Sequence, residues 1–172
     1  MNLLLYKELP KQYMLWLTLF IALCNLSVLE SQAQSILDPT AVAANDLEKA
    51  RGQHAELLSP KSFTRAFKEY ERYLQLLQQG KSDQEIQAVL ARFKTNINTT
   101  MDHIVQAHTI LGDLIKLRKE ALALNAPIIV PKEYKEAETR FKKTIERLEE
   151  DKFSESETLS SVAQTYYRGA II

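Results

Sequence analysis

Residues 50–81 of this chain match residues 121–152 at a constant offset of 71, and this duplication restricts the possible folds more than any other feature. Identical pairs include Ala50 and Ala121, Ala55 and Ala126, Pro60 and Pro131, Ala66 and Ala137, and Leu77 and Leu148. Conservative pairs lie between them: Leu57 with Ile128, Leu58 with Ile129, Phe63 with Tyr134, Tyr70 with Phe141, Leu74 with Ile145. After a one-residue insertion the offset becomes 72, and Ser82-Asp83-Gln84-Glu85 falls on Ser154-Glu155-Ser156-Glu157. Both read as capping boxes, in which a Ser oxygen receives a backbone N–H and a Glu three residues on reaches back. The two copies therefore predict the same helix–turn–helix unit twice.

Only four Gly and five Pro interrupt 172 residues, so long helices are expected throughout. Asp38 caps a first helix, with Pro39 in its first turn, running to about Leu58. Pro60, preceded by a capping Ser59, opens a second that ends at Gly80, with Phe63, Ala66, Phe67, Tyr70, Tyr73, Leu74 and Leu77 on one face. A third is expected from Asp83 to about Asn125, carrying Ile86, Leu90, Phe93, Ile97, Met101, Ile104, His108, Leu111 and Ile115; at 1.5 Å per residue it would span roughly 65 Å. Its weak points are residues 95–100, poor in helix formers, and Gly112. Asn125-Ala126-Pro127 closes it, Pro131 opens a fourth helix and Ser154 a fifth. The expected fold is all-α: an elongated antiparallel helical bundle of two tandem helical units, residues 34–100 and 101–172, sharing the long central helix.

Lys7 and Lys11 precede an apolar run from Tyr13 to Leu29, and Ser31-Gln32-Ala33 follows with small side chains. This is the layout of a signal peptide, residues 1–33, cut between Ala33 and Gln34. The competing readings are a membrane anchor formed by residues 13–29, short for a span, and lipid attachment at Cys24 after Ile21-Ala22-Leu23. Cys24 is the only cysteine, so a chain cut after Ala33 has no disulfide and no thiolate chemistry. Charges balance across the whole chain and also without the first 33 residues, which hold Lys7, Lys11, Glu8 and Glu30. Charge thus gives no reason to expect nucleic acid or an anionic membrane as partner, and membrane contact is expected only through an uncut signal segment.

Chemistry-bearing patterns are sparse. His54, His103 and His108 have no His or acid at the spacing of a helical zinc site, and there is no Ser-His-acid arrangement, phosphate loop or nucleophile elbow. No catalytic, cofactor-binding or metal-binding residue is therefore assigned. His108 falls in the apolar stripe as a core histidine, Glu149-Glu150-Asp151 reads as a solvated turn, and the aromatics at three- and four-residue spacing read as core. Near the last residue, Val162, Ala163, Tyr166, Tyr167, Ala170 and Ile171 continue an apolar stripe, so Tyr166, Tyr167, Ala170 and Ile171 are a candidate surface for a partner chain, or for the next segment of a longer protein of which this chain is a shortened version.

The paired segments Leu57-Leu58-Ser59-Pro60-Lys61-Ser62-Phe63-Thr64-Arg65-Ala66 and Ile129-Val130-Pro131-Lys132-Glu133-Tyr134-Lys135-Glu136-Ala137 resemble the repeated helix start of a bacterial envelope family of helical domains, often found upstream of an OmpA-like peptidoglycan-binding domain. The resemblance covers most of residues 39–172, none of which is the peptidoglycan-binding part. It implies periplasmic residence and a structural, non-catalytic role, with an envelope protein or a second copy as partner. The alternative is a small-ligand carrier or accessory protein with a groove between the units; an open aromatic groove would favour it, and full use of the aromatics in packing would favour the scaffold.

Overall fold

The computed structural model describes residues 38–171, all but sixteen of them in eight helices with no strand among them. The proposed signal segment, with Cys24, Ala33 and Gln34, lies outside the described residues. The chain divides after Val42 into two compact units, and of the first only residues 38–42 are described. Among the described residues no helix is long and apolar enough to cross a membrane.

In chain order the helices are α1 (Pro39–Gly52), α2 (Ala55–Leu58), α3 (Pro60–Gln78), α4 (Asp83–Ile110), α5 (Gly112–Ala123), α6 (Ala126–Ile129), α7 (Pro131–Leu148) and α8 (Phe153–Ile171). Antiparallel pairs α3–α4 and α7–α8, each joined by a four-residue connection, make the two largest interfaces; α5 also packs on α8, and α4 meets α7. Ala66 and Ala137 are both fully buried, where a small side chain lets helices approach closely.

The duplication extends to individual backbone bonds. His54 and Asn125, 71 apart, both take left-handed conformation, φ 62° and 55°. Each begins a one-turn link: the amides of Leu57 and Leu58 bond the His54 carbonyl, and those of Ile128 and Ile129 bond the Asn125 carbonyl. Helices α3 and α7 then end alike. Lys81 N donates to Leu76 O and Gly80 N to Leu77 O; Lys152 N donates to Arg147 O and Asp151 N to Leu148 O. These are paired Schellman ends, with the left-handed position held by Gly80 (φ 60°) in one and by Asp151 (φ 56°) in the other. Gly takes that conformation freely and Asp more easily than most residues.

Four expectations are corrected. The first helix stops at Gly52 instead of reaching Leu58, because His54 turns left-handed and starts the separate turn α2. The long third helix is divided at Leu111 (φ −112°, ψ 17°), next to Gly112, so α4 and α5 are separate. Residues 95–100 do not break α4, and within it Thr95, Thr99 and Thr100 return their hydroxyls to the carbonyls four residues back. His108 is exposed and His103 is the buried histidine. Finally, Ser82 and Glu85 form the expected capping box, but α8 already begins at Phe153, leaving Ser154 inside its first turn. Counted from the left-handed residue, Ser82 is the second residue after Gly80, whereas Ser154 is the third after Asp151, one too late to cap.

Candidate functional site

The polar core of the molecule is a joint between the repeats, built where α3 starts, α4 passes and α7 ends. Helix α3 has no acidic residue in its first turn, and the Ser59 side chain does not cap it. That task falls to a carboxylate ninety residues away. Glu149 Oε1 accepts from Ser62 N (2.9 Å) and Ser59 Oγ (3.1 Å), and Glu149 Oε2 accepts from Lys61 N (3.2 Å). The exposed N–H groups and positive dipole end of α3 thus meet a negative side chain. His103 Nδ1 lies 3.1 Å from Ser62 Oγ and 3.4 Å from Ser59 Oγ, and 3.9 Å from Glu149 Oε1. Arg65 donates to Ser62 Oγ (3.1 Å) from the other side.

This is a Ser–His–Glu constellation by residue type only. Ser59 and Ser62 are fully buried, and the side chains of His103 and Glu149 are 8% and 1% exposed, so no substrate carbonyl can reach either hydroxyl. Ser59 also bonds the carboxylate directly instead of through the imidazole. The arrangement fixes three helices relative to one another. The reading of Glu149-Glu150-Asp151 as a solvated turn is accordingly corrected at Glu149; nothing local in the sequence marks a carboxylate whose partners are so distant.

Outside the joint, Lys61 Nζ reaches Glu146 Oε1 (2.8 Å) and Glu150 Oε1 (3.1 Å). Those hydrogen bonds, first to Glu146 and then to Glu150, raise the Lys61 pKa. Lys152, Lys61 and Arg147 together bring the Glu150 carboxyl down to about 2. An open groove of about 630 Å³ runs here, lined by Pro60, Lys61, Thr64, Arg65, Glu149 and Glu150.

A second polar network sits inside repeat two. Glu138 accepts from Arg118 Nε (2.7 Å), Arg118 Nη2 (3.3 Å) and the Tyr167 hydroxyl (2.5 Å). Burial by itself pushes the Glu138 carboxyl up, but hydrogen bonds from Tyr167 and Arg118 outweigh it and hold the pKa below its ordinary value. Burial, then the bond to Glu138, raises the phenol of Tyr134 to about 12, and the same causes raise that of Tyr167. Arg140 lies 4.4 Å over the Tyr166 ring and donates to its hydroxyl (3.1 Å).

These contacts place the residues of the expected partner surface. Tyr167 is fully buried, Ala170 is 6% exposed, and Tyr166 and Ile171 are half-buried against the core, so the tail is turned into its own bundle. Most other aromatics are consumed likewise: Phe63, Tyr73, Phe93 and Phe141 are buried, and Phe67, Tyr70 and Tyr134 pack on the core. Among the described residues no group of three His, Cys, Asp or Glu could hold a metal ion. Among the described residues Val42, Leu77, Val105, Phe153 and Val162 are exposed, and a further group of exposed apolar side chains lies at α6. Around α6, Leu122, Leu124, Ile128 and Ile129 are 40%, 50%, 80% and 70% exposed, while in the equivalent link Leu58 is 1% exposed and Leu57 half-buried. Compared with family models, curated proteins and solved structures, the chain matches none.

Proposed function

We propose that the chain is an exported, non-catalytic helical scaffold or interaction module of the bacterial cell envelope, acting by presenting a helix surface to another envelope protein. The observation that carries the reading is the open apolar patch at α6, on a bundle that uses most of its described aromatics in holding itself together. Neighbouring exposed aliphatics of this kind mark interaction sites on otherwise well-packed domains. Export rests on the charged start, apolar run and small residues before Gln34, and the envelope setting on the resemblance of the repeated helix starts.

The carrier reading draws less support. A carrier needs an enclosed apolar pocket with a few converging polar groups, whereas the groove beside the joint is lined by Lys61, Arg65, Glu149 and Glu150. Lys61 and Glu150 there are already paired with each other.

Two measurements test the proposal. Mass spectrometry of the chain recovered from the envelope fraction should find Gln34 at the mature N-terminus; an uncut chain in the cytoplasm would reject export. Cross-linking in intact cells, with the linked peptides sequenced, should join residues near Ile128 to one envelope protein, and the absence of any such link would reject the interaction role.

A further inference from the structure

We infer that His103 is a proton-operated switch inside the joint, exchanging a hydrogen-bond relay that starts at Arg65 for one that ends at Glu149. The neutral state is fixed by its donors and acceptors. A carboxylate only accepts and a guanidinium only donates, so Ser59 Oγ gives its proton to Glu149 Oε1 (3.1 Å) and Ser62 Oγ receives one from Arg65 Nη2 (3.1 Å). The Ser62 hydroxyl proton then has a single partner among the described residues, His103 Nδ1 at 3.1 Å. Ser62 is fully buried, and a neutral ring protonated at Nδ1 would leave that proton with no acceptor. The neutral ring therefore carries its hydrogen on Nε2, and the relay runs from Arg65 through Ser62 to His103. Nε2 reaches water through the ring's 8% exposure, since the buried side-chain atoms without a partner lie elsewhere, at Gln106 Oε1 and Arg140 Nε.

A second proton, on Nδ1, reverses the relay. The new N–H finds the Ser62 oxygen holding its own hydrogen and the one from Arg65. Ser59 Oγ, 3.4 Å away, caps no amide of α3 and already passes its proton to Glu149 Oε1, itself 3.9 Å from the ring. The bonds then run from His103 through Ser59 to Glu149, and Ser62 loses its acceptor. Charge acts in the same direction. The Glu149 side chain is 1% exposed and attracts the imidazolium with little screening, whereas the guanidinium on the far side of Ser62 is repelled. Arg65 borders the open groove beside the joint, so its release turns a cation toward that groove. The other charges nearby are engaged or outward: Lys61 stays with Glu146 and Glu150, Glu150 also holds Arg147 and Lys152, and His54, Glu56 and Asp102 are exposed.

Nitrogen-15 NMR of the histidine rings in the full chain tests this, with His103 assigned by means of His54→Asn and His108→Gln. Neutral His103 should be the Nε2–H tautomer. As pH falls, the Arg65 side-chain and Ser62 amide signals should move with the same midpoint as the His103 ring, and exchange of the Arg65 guanidinium hydrogens with water should quicken severalfold. Ser62→Ala removes the oxygen shared by Arg65 and the ring; there His103 should still titrate while Arg65 no longer follows it. The inference is overturned if neutral His103 carries its hydrogen on Nδ1, if Arg65 is indifferent to the ring's titration, or if Arg65 follows it equally in Ser62→Ala. It is also overturned if the chain unfolds before the folded ring takes up its second proton.

Discussion

The two repeats share a backbone and differ in what fills it. Phe63 and Phe67 of repeat one, with Arg51 stacked on both rings at 5.8 and 5.4 Å, correspond to Tyr134 and Glu138 of repeat two. Leu47 corresponds to Arg118. An aromatic cluster with a cation at its edge has become a buried carboxylate held by a guanidinium and a phenol. The polar joint follows the opposite rule, with Ser59, Ser62 and His103 in repeat one and Val130 and Glu133 at the matching places in repeat two. The lesson is that the duplication specifies the main-chain turns and the alanine contacts, while each copy chooses its own means of satisfying the interior. A buried polar network is tolerated only when all its members are bonded, and both networks come close to meeting that condition.

The largest asymmetry in energy is expected at the ends of α3 and α7. Glu149 and Gln78 occupy matching positions, yet Glu149 is buried with three hydrogen bonds from α3's start and Gln78 is exposed. Glu149→Ala should cost about 3 kcal/mol in urea unfolding, because it removes the charge-assisted bonds from the Ser62 and Lys61 amides and strands the part-buried Ser62 N–H. Gln78→Ala should lie within about 0.5 kcal/mol of zero, as surface substitutions usually do. Equal losses would mean that the joint carries no special weight.

Next comes the interior exchange. Glu138→Ala should cost about 2–3 kcal/mol by stranding the Arg118 guanidinium and the Tyr167 hydroxyl. Installing the residues of repeat one, Glu138→Phe with Arg118→Leu, should recover part of that loss, as apolar replacements of buried ion pairs often do. A double variant as unstable as the single one would show that the two interiors are not interchangeable. The same network predicts a pH signature. The raised phenols of Tyr134 and Tyr167 contribute stability that is complete below their ordinary value near 10 and is lost as pH rises through the folded value, about 12 for Tyr134. Glu138, held low, contributes stability above its ordinary value that is lost as pH falls through the folded one. Unfolding curves should therefore weaken at both extremes, and Glu138→Gln should remove part of the acid limb. An unchanged acid limb would assign it to other carboxylates.

Ala66 and Ala137 provide the test of sameness. Both are fully buried at the same step of their helices, so Ala66→Leu and Ala137→Leu should each destabilise by about 1–3 kcal/mol through overpacking. A large loss at one site and none at the other would confine the duplication to the main chain.

How far the sequence revealed this fold depends on the range of the interaction concerned. Pro60, Pro131, Gly80, the alanines and the Ser82 box act within a few residues, and the helix starts and ends follow from them. The all-helical class follows from composition and the periodicity of three and four. What stayed hidden was decided across the bundle. Glu149 is chosen by the N-terminus of α3, and His103 instead of His108 turns inward because the stripe on α4 passes through Thr100, Ile104 and Ala107, placing residue 103 beside Ser59 and Ser62. The break at Leu111 leaves that residue 1% exposed, so its cause lies in packing as much as in Gly112. The same holds for the tail: Ala163, Tyr167 and Ala170 of its apolar stripe are buried where α8 packs on α5 and α7, which no local pattern announces.

The smallest expected difference separates the two serines that look alike in sequence. Ser82 accepts from Glu85 N (3.4 Å), and Glu85 Oε2 receives both Ser82 N (3.3 Å) and Ser82 Oγ (2.8 Å). Those bonds hold the Glu85 carboxyl below its ordinary pKa, so the box is intact at neutral pH and weakens in acid. Ser154 stands one residue inside α8, where its carbonyl receives the Thr158 hydroxyl and its side chain has no capping role. Replacement of a true N-cap by Ala costs about 1 kcal/mol, whereas Ser to Ala within a first helical turn is close to neutral or favourable. Ser82→Ala should accordingly lower stability by about 1 kcal/mol and Ser154→Ala should leave it within about 0.3 kcal/mol. Equal losses for the two would place a cap at Ser154 and restore the one-residue insertion to the alignment; equal neutrality would show that the start of α4 is held by its packing on α3 and not by its cap.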